Sequence, residues 1–271
     1  MSFEEFTARI KGIGSPKKLR TKIFTEIGLG SGGSAIALNM ARCGMSKFNL
    51  FDFDVVETSN LCRSVYDVGD IGRKKTETIR NKILAINPEA EVKLFDVDVL
   101  RMPISDLEKV IDESDLIVEA SDDVKTKILI NGLACMKVPV LYPAVYDGGS
   151  ASELLFTIPG KTPCYQCVMS SIIPQMEQVK RGEVDYSTGR NKPMAALIAD
   201  IQVIVARTTK LALAMLLANE KRELLEKVTV PDCSILFVGN EKDFFIFSQP
   251  FQEVWAQTEI NPDCFCRQVL E

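Results

Sequence analysis

No histidine occurs anywhere in this chain of 271 residues. Histidine general bases, cysteine–histidine dyads and histidine metal ligands are therefore excluded from any mechanism it runs. An excess of positive charge is missing too: 32 lysines and arginines stand against 37 aspartates and glutamates, a net charge of −5. That balance gives no electrostatic case for DNA or RNA as the main partner. The opening residues (MSFEEFTARIKG) hold no apolar stretch of signal-peptide length, so the expected location is cytoplasmic. Long uncharged apolar runs are lacking as well. The most apolar segment, residues 194–219, is interrupted by Asp200, Gln202, Arg207 and Lys210, which marks a buried core helix rather than a membrane span. There is no internal repeat and no low-complexity tract.

What is present is densest in residues 23–63, IFTEIGLGSGGSAIALNMARCGMSKFNLFDFDVVETSNLCR. A short apolar run ends in Gly28-Leu29-Gly30-Ser31-Gly32-Gly33, and a small-residue helix pattern follows over residues 34–43. A second apolar run ends in Asp52-Phe53-Asp54. Strand, glycine turn, helix, strand and acid is the order of a nucleotide-binding βαβ unit. Gly28 and Gly30 permit a tight turn and let the backbone approach a phosphate. The helix N-terminus offers that anion its N–H groups and the positive end of its dipole. Asp52, about 20 residues on, is where an acid accepts hydrogen bonds from ribose hydroxyls. The bland alternative is a tightly packed strand–helix corner.

The rest of the chain keeps the alternation going. A polar connection over residues 55–72 is too long for a routine strand-to-helix loop. Helices are expected over residues 74–86, 105–111 and 124–136, and strands over 92–95, 116–118 and 138–142. This pattern predicts a Rossmann-like, doubly wound α/β sheet, mainly parallel, with helices on both faces. Later strands over 151–158, 235–238 and 244–247 add to it. One domain over residues 1–271 is expected, with a solvated arm at 1–21, a long loop at 168–193 and a tail at 248–271.

Eight cysteines in a chain expected in a reducing compartment read as thiols or metal ligands. Cys164 and Cys167 have the spacing of a zinc knuckle. Cys264 and Cys266, about a hundred residues on, could complete a closed, structural four-thiolate site for Zn²⁺. Two unrelated pairs of reduced thiols are the alternative. Asn60 and Arg63 lie in the loop after the second strand, Lys75 opens the next helix, and Asp122 follows the fourth strand. Arginine and lysine neutralise phosphate charge, and a strand-end aspartate holds Mg²⁺. Each alone would be a solvated surface residue, and Asp122 a cap for the helix that follows.

Taken in order, the residue 28–63 stretch, DVGDIGRKK, INPEAEV, VEASDD and PGKTPCYQC resemble the ThiF/MoeB/HesA family, relatives of the ubiquitin-activating enzymes. The resemblance runs in register over roughly residues 22–167, loosely through the long helix, and resumes at the final cysteine pair. It implies an adenylyltransferase that uses ATP and Mg²⁺ to activate the C-terminus of a small ubiquitin-like or sulfur-carrier protein ending in Gly-Gly, and it implies a homodimer. By resemblance, Gly28, Gly30 and Gly33 line the phosphate turn, Asp52 holds the ribose and Asp54 is the second acid of that motif. Asn60, Arg63 and Lys75 meet the phosphates, Asp122 positions Mg²⁺, and the four cysteines hold zinc. Family members that go on to a thioester carry a cysteine in the loop after the knuckle, and residues 168–192 contain none. The expectation is adenylation without a thioester on that loop. Cys62 is the nearest other thiol, and Arg9 and Arg20 are the candidates for an arginine acting across a dimer. Two other readings stand beside this one. One is a non-catalytic subunit that binds a ubiquitin-like protein. The other is an NAD(P)-dependent oxidoreductase, which the glycine turn and Asp52 alone would allow.

Overall fold

Short β-branched and aromatic runs, each bounded by glycine or acid, become the strands of a single large sheet. The structure is a computed structural model that describes residues 2–12, 15–176, 184–185, 190–191, 195–218 and 222–266. Five strands are parallel: β1 (Ile23–Ile27), β2 (Lys47–Phe51), β3 (Glu91–Phe95), β4 (Leu116–Glu119) and β5 (Val140–Val145). They lie in the spatial order β3-β2-β1-β4-β5. Three antiparallel strands extend the β5 edge: β6 (Ala151–Thr157), β7 (Cys233–Gly239) and β8 (Glu253–Gln257).

Helices fill the crossovers on both faces, as parallel pairing requires. The described helices of eight or more residues are α1 (Ser31–Arg42), α2 (Lys75–Ile86), α3 (Ile104–Glu113), α4 (Val124–Ala134), α5 (Tyr165–Met176) and α6 (Ile198–Leu216). Period-two alternation in the strands separates two cores. Leu116 and Val118 face the layer of α1, α2 and α6 with Ile36, Ile79, Ile83 and Ile204. Ile117 faces the layer of α3, α4 and α5 with Leu107, Ile111, Ile130 and Val168. Each fully buried side chain of this kind contributes about 1.5–3 kcal/mol relative to exposure.

Register places the site. Ile27 pairs with Phe51 and with Glu119, and Phe51 pairs with Phe95, so β1, β2 and β4 end at one level. Gly28, Asp52 and Ala120 therefore emerge side by side at the carboxyl edge, where open α/β sheets bind ligands.

Three expectations change. The arm at 1–21 is docked instead of solvated: Phe3, Thr7, Pro16 and Leu19 are buried, and Phe3 and Pro16 close on Gly44. Its charged side chains, among them Glu4, Glu5, Arg9, Lys11, Lys17, Lys18 and Arg20, stay exposed. Residues 244–247 make a tight turn with one Phe244–Phe247 bridge, because Asp243 and Phe245 adopt positive φ and break an extended run. The edge strand is β8, inside the expected tail, where Trp255 meets Phe156 edge to face at 6.3 Å. The expected loop at 168–193 begins as helix α5 and includes a small ribbon, Val184–Asp185 with Arg190–Asn191. Its remaining residues, 177–183, 186–189 and 192–193, lie outside the described residues, as do 267–271 of the tail.

Candidate functional site

The glycine turn between β1 and α1 is built from backbone contacts that side chains would block. Gly28 has φ +86°, donates its N–H to the Phe51 carbonyl at 2.9 Å, and lies so close to the β4 exit that an added Cβ would stand 2.8 Å from Ser121 N. Gly33 is buried behind the turn, where a Cβ would overlap the Gly28 carbonyl oxygen and approach Glu26 Oε1 to 2.7 Å. It brings helix and strand together and does not face the open side. At Gly30 and Gly32 an added Cβ would meet nothing within 4 Å, so the open side of the turn begins there. Gly30 is also the N-cap of α1 and has no side chain to cap it, which leaves the first-turn N–H groups for a ligand.

Asp52 and Asp54 stand beside this turn. Asp52 accepts the N–H of Leu29 on Oδ2 at 2.7 Å and that of Asp54 on Oδ1 at 2.8 Å. It therefore bolts the glycine turn to the end of β2, and each oxygen keeps one lone pair for a further donor. Burial raises its pKa, while the Lys75 ammonium and the two backbone donors pull against that rise. Lys75, the first residue of α2, pairs with Asp54 Oδ2 at 3.0 Å and with Asp52 Oδ1 at 3.9 Å. Its own N–H donates to the Asp54 carbonyl, and a Val55–Lys74 bridge brings α2 back to this edge.

The connection at 55–72 folds as two 3₁₀ turns, each closed by a reciprocal capping box. Asn60 Oδ1 accepts the Glu57 N–H at 3.0 Å, so its carbonyl end shapes the loop. Arg63 is half-buried and its N–H donates to the Asn60 carbonyl. Cys62 is exposed, with its thiol donating to the Ser59 carbonyl at 3.5 Å. Tyr66 was not singled out by sequence. Its hydroxyl donates to the Leu29 carbonyl at 2.6 Å and ties the whole loop to the glycine turn.

At the β4 exit the cap belongs to Asp123 and not to Asp122: its carboxylate accepts the N–H groups of Lys125 and Thr126 at 3.3 and 3.0 Å. Asp122 is exposed just before it, one residue beyond the contact between Ser121 and Gly28. Glu119 and Lys127, also missed, are buried here as an ion pair at 2.8 Å. A glutamate closing the apolar run LIVE, and two lysines in the otherwise apolar VKTKILINGLA, were the available signal. The turn, both strand-end acids, Lys75 and the Asp122 turn thus share one edge, with the 55–72 loop tied over it.

A second centre lies apart from that edge. Cys164, Cys167, Cys264 and Cys266 bring their sulfurs within 4.8 Å of one another, with Cys164–Cys167 at 3.7 Å, Cys164–Cys264 at 3.5 Å and Cys167–Cys266 at 3.4 Å. Zn–S bonds of about 2.3 Å put tetrahedral sulfurs about 3.8 Å apart, so the four thiols fit zinc closely. Asn131 Nδ2 and Asn261 N point donors at Cys164 and Cys167, at 3.6 and 3.4 Å, as the outer partners of a thiolate centre do. A hydrogen bond with buried Cys135 holds the Cys164 thiol well below its ordinary value.

The chain matches the model of the ThiF family over residues 7–235. It is 30% identical over 165 residues to the sulfur carrier protein ThiS adenylyltransferase of Bacillus subtilis, covering 59% of this chain and 48% of that protein. It is 27% identical over 169 residues to ubiquitin-like modifier-activating enzyme 5 of Caenorhabditis briggsae, covering 58% of this chain and 38% of that protein. The chain thus spans less than half the length of these two relatives. In fold it is similar to E. coli MccB with ATP, with a TM-score of 0.68 and 20% identity, over 93% of this chain and 68% of that one. Among the described residues, no helix is long and apolar enough to cross a membrane.

Proposed function

The chain belongs to the ThiF family, and from that premise we propose that it is an ATP-dependent adenylyltransferase acting on the C-terminal carboxylate of a ubiquitin-like or sulfur-carrier protein ending in Gly-Gly. The observation that carries this reading is the meeting of the glycine turn, Asp52, Lys75 and the Asp122 turn at one sheet edge, with Ser121 N against Gly28. A dinucleotide site needs the turn and Asp52 alone. A cationic helix start and a further aspartate next to that turn suit a reacting triphosphate.

The roles follow from position. Gly28, Gly30 and the first turn of α1 cradle phosphates, with Gly33 allowing the close approach behind them. Asp52 takes the ribose through its remaining lone pairs, and Asp54 holds Lys75 until phosphate replaces it. Arg63 and Lys75 oppose the charge that develops as the partner's carboxylate oxygen bonds to the α-phosphorus and pyrophosphate leaves; Asn60 orients the chain of phosphates. Asp122, a hard oxygen ligand, would hold Mg²⁺ together with the substrate's phosphates, and the metal would neutralise their charge. The step needs positioning and electrostatics and no proton shuttle, so a chain without histidine can run it.

The acyl-adenylate then passes to a partner's thiol or to an amine, because residues 168–192 hold no cysteine. The single adenylation domain would work as a cytoplasmic homodimer, with zinc held by the four cysteines as a closed structural site. ATP–pyrophosphate exchange tests the reading, with Mg²⁺ and proteins ending in Gly-Gly. Exchange lost on Asp122→Ala and on Lys75→Ala supports it. NADH binding without exchange favours an oxidoreductase, and carrier binding without exchange favours a non-catalytic subunit.

A further inference from the structure

Lys127 is a lysine with no donor to spare. Its ammonium reaches Glu119 Oε2 at 2.8 Å, the Ser121 carbonyl at 2.6 Å and the Glu119 carbonyl at 3.5 Å. An ammonium has three N–H donors, and these three acceptors take them all. Lys127 is 8% exposed and Glu119 is fully buried, so water competes for neither. Ser121 closes the ring from the other side: its hydroxyl and its N–H both donate to Glu119 Oε1, the latter at 3.2 Å.

We propose that Glu119, Ser121 and Lys127 form a clasp that positions Asp122, with Lys127 a positioning residue that never touches the nucleotide. The inference rests on the adenylation reading for what Asp122 does, and on geometry for the clasp itself. The ring encloses the backbone between β4 and α4. On one side Ser121 N is pressed against Gly28. On the other, Asp123 caps α4 through the Lys125 and Thr126 N–H groups. Asp122 sits between the two with its backbone held at both ends. A buried ion pair adds little net stability over an apolar pair of the same size, because desolvation cancels most of the attraction. What this pair supplies is direction. It fixes where the Ser121 carbonyl points, and through it the carboxylate one residue on.

The test measures metal binding without turnover. Free Mn²⁺ is titrated by electron paramagnetic resonance against the protein loaded with a non-hydrolysable ATP analogue, for the wild type, Ser121→Ala and Lys127→Met. Partners that orient metal ligands change affinity by about 10- to 100-fold when removed. Both variants should weaken Mn²⁺ binding by about tenfold or more while the metal-free affinity for the analogue stays at the wild-type value. Ser121→Ala removes a single hydroxyl and leaves the ion pair, so it decides the matter if Lys127→Met fails to fold. Wild-type Mn²⁺ affinity in folded Ser121→Ala would overturn the clasp. Wild-type protein that binds Mn²⁺ with the analogue but exchanges no pyrophosphate would instead overturn the adenylation reading, leaving the clasp to be judged on the variants. No Mn²⁺ binding at all would overturn both.

Discussion

Glu26 sits in the middle of β1 with no exposure, and among the described residues neither of its carboxyl oxygens has a hydrogen-bond partner. Burial, and then the neighbouring Glu119, pushes its pKa well above the ordinary 4.5, which favours the protonated form in the folded protein. The unfolded chain releases that proton near its ordinary value. Between the two values the unfolded state binds fewer protons than the folded one, so stability falls as pH rises above 4.5. Glu26→Gln keeps the shape and removes the proton. Its melting temperature relative to the wild type should climb as pH rises above about 5. A difference that does not change with pH would show that Glu26 is ionised in the fold. At this scale the sequence marked the ends of elements and missed the local partners. Spacing alone put Asp52, Lys75 and Asp122 at strand and helix ends. It could not tell that Asp52 spends an oxygen on each of two backbone donors, or that of two adjacent acids Asp123 is the cap. Those are three-dimensional choices between neighbours of equal propensity.

Among elements, the joint of β1 and α1 is the most constrained. A methyl group at residue 33 would collide with the Gly28 carbonyl, which is backbone and has no rotamer to yield. Gly33→Ala should therefore displace the turn itself, lowering the melting temperature and weakening ATP binding by more than tenfold, a loss above about 1.4 kcal/mol. Calorimetry and nucleotide titration on the same variant check this; wild-type affinity would mean the helix shifts without moving the turn. The alternation of β1 to β5 with α1 to α4 was legible because each run has a clean period and a glycine, proline or acid at its end. The later elements were less so. Residues 244–247 look like a strand, and only the positive φ at Asp243 and Phe245 turns them back. Strand β8 is read from its pairing with β7, from Glu253–Val238 to Gln257–Cys233, and that contact carries no local mark.

For the molecule as a whole, the four cysteines bring together chain segments about a hundred residues apart, setting the tail against the start of α5. Spacing marked Cys164 and Cys167 as a knuckle, while their pairing with Cys264 and Cys266 stood beside the alternative of two unrelated thiol pairs until the sulfurs were seen together; Asn131 and Asn261 lie in no motif. A strong chelator should lower the melting temperature and release one zinc per chain, and Cys264→Ser should do the same without chelator. An unchanged melting temperature would mean the thiols hold no structural metal. The edge carrying the glycine turn shares no residue with this centre, so metal removal should cost stability before it costs ATP affinity.

In the proposed reaction a partner's terminal carboxylate attacks the α-phosphorus of ATP at the edge where Gly28, Lys75 and Asp122 meet. Isotope transfer tests it most directly. A Gly-Gly protein labelled with ¹⁸O in its terminal carboxylate is incubated with the enzyme, ATP and Mg²⁺, and hydroxylamine traps the activated acyl group. Cleavage at the acyl carbon leaves the bridging oxygen on phosphorus, so AMP should carry ¹⁸O and the other product should be pyrophosphate. Unlabelled AMP, or ADP and phosphate in place of AMP and pyrophosphate, would rule that reaction out.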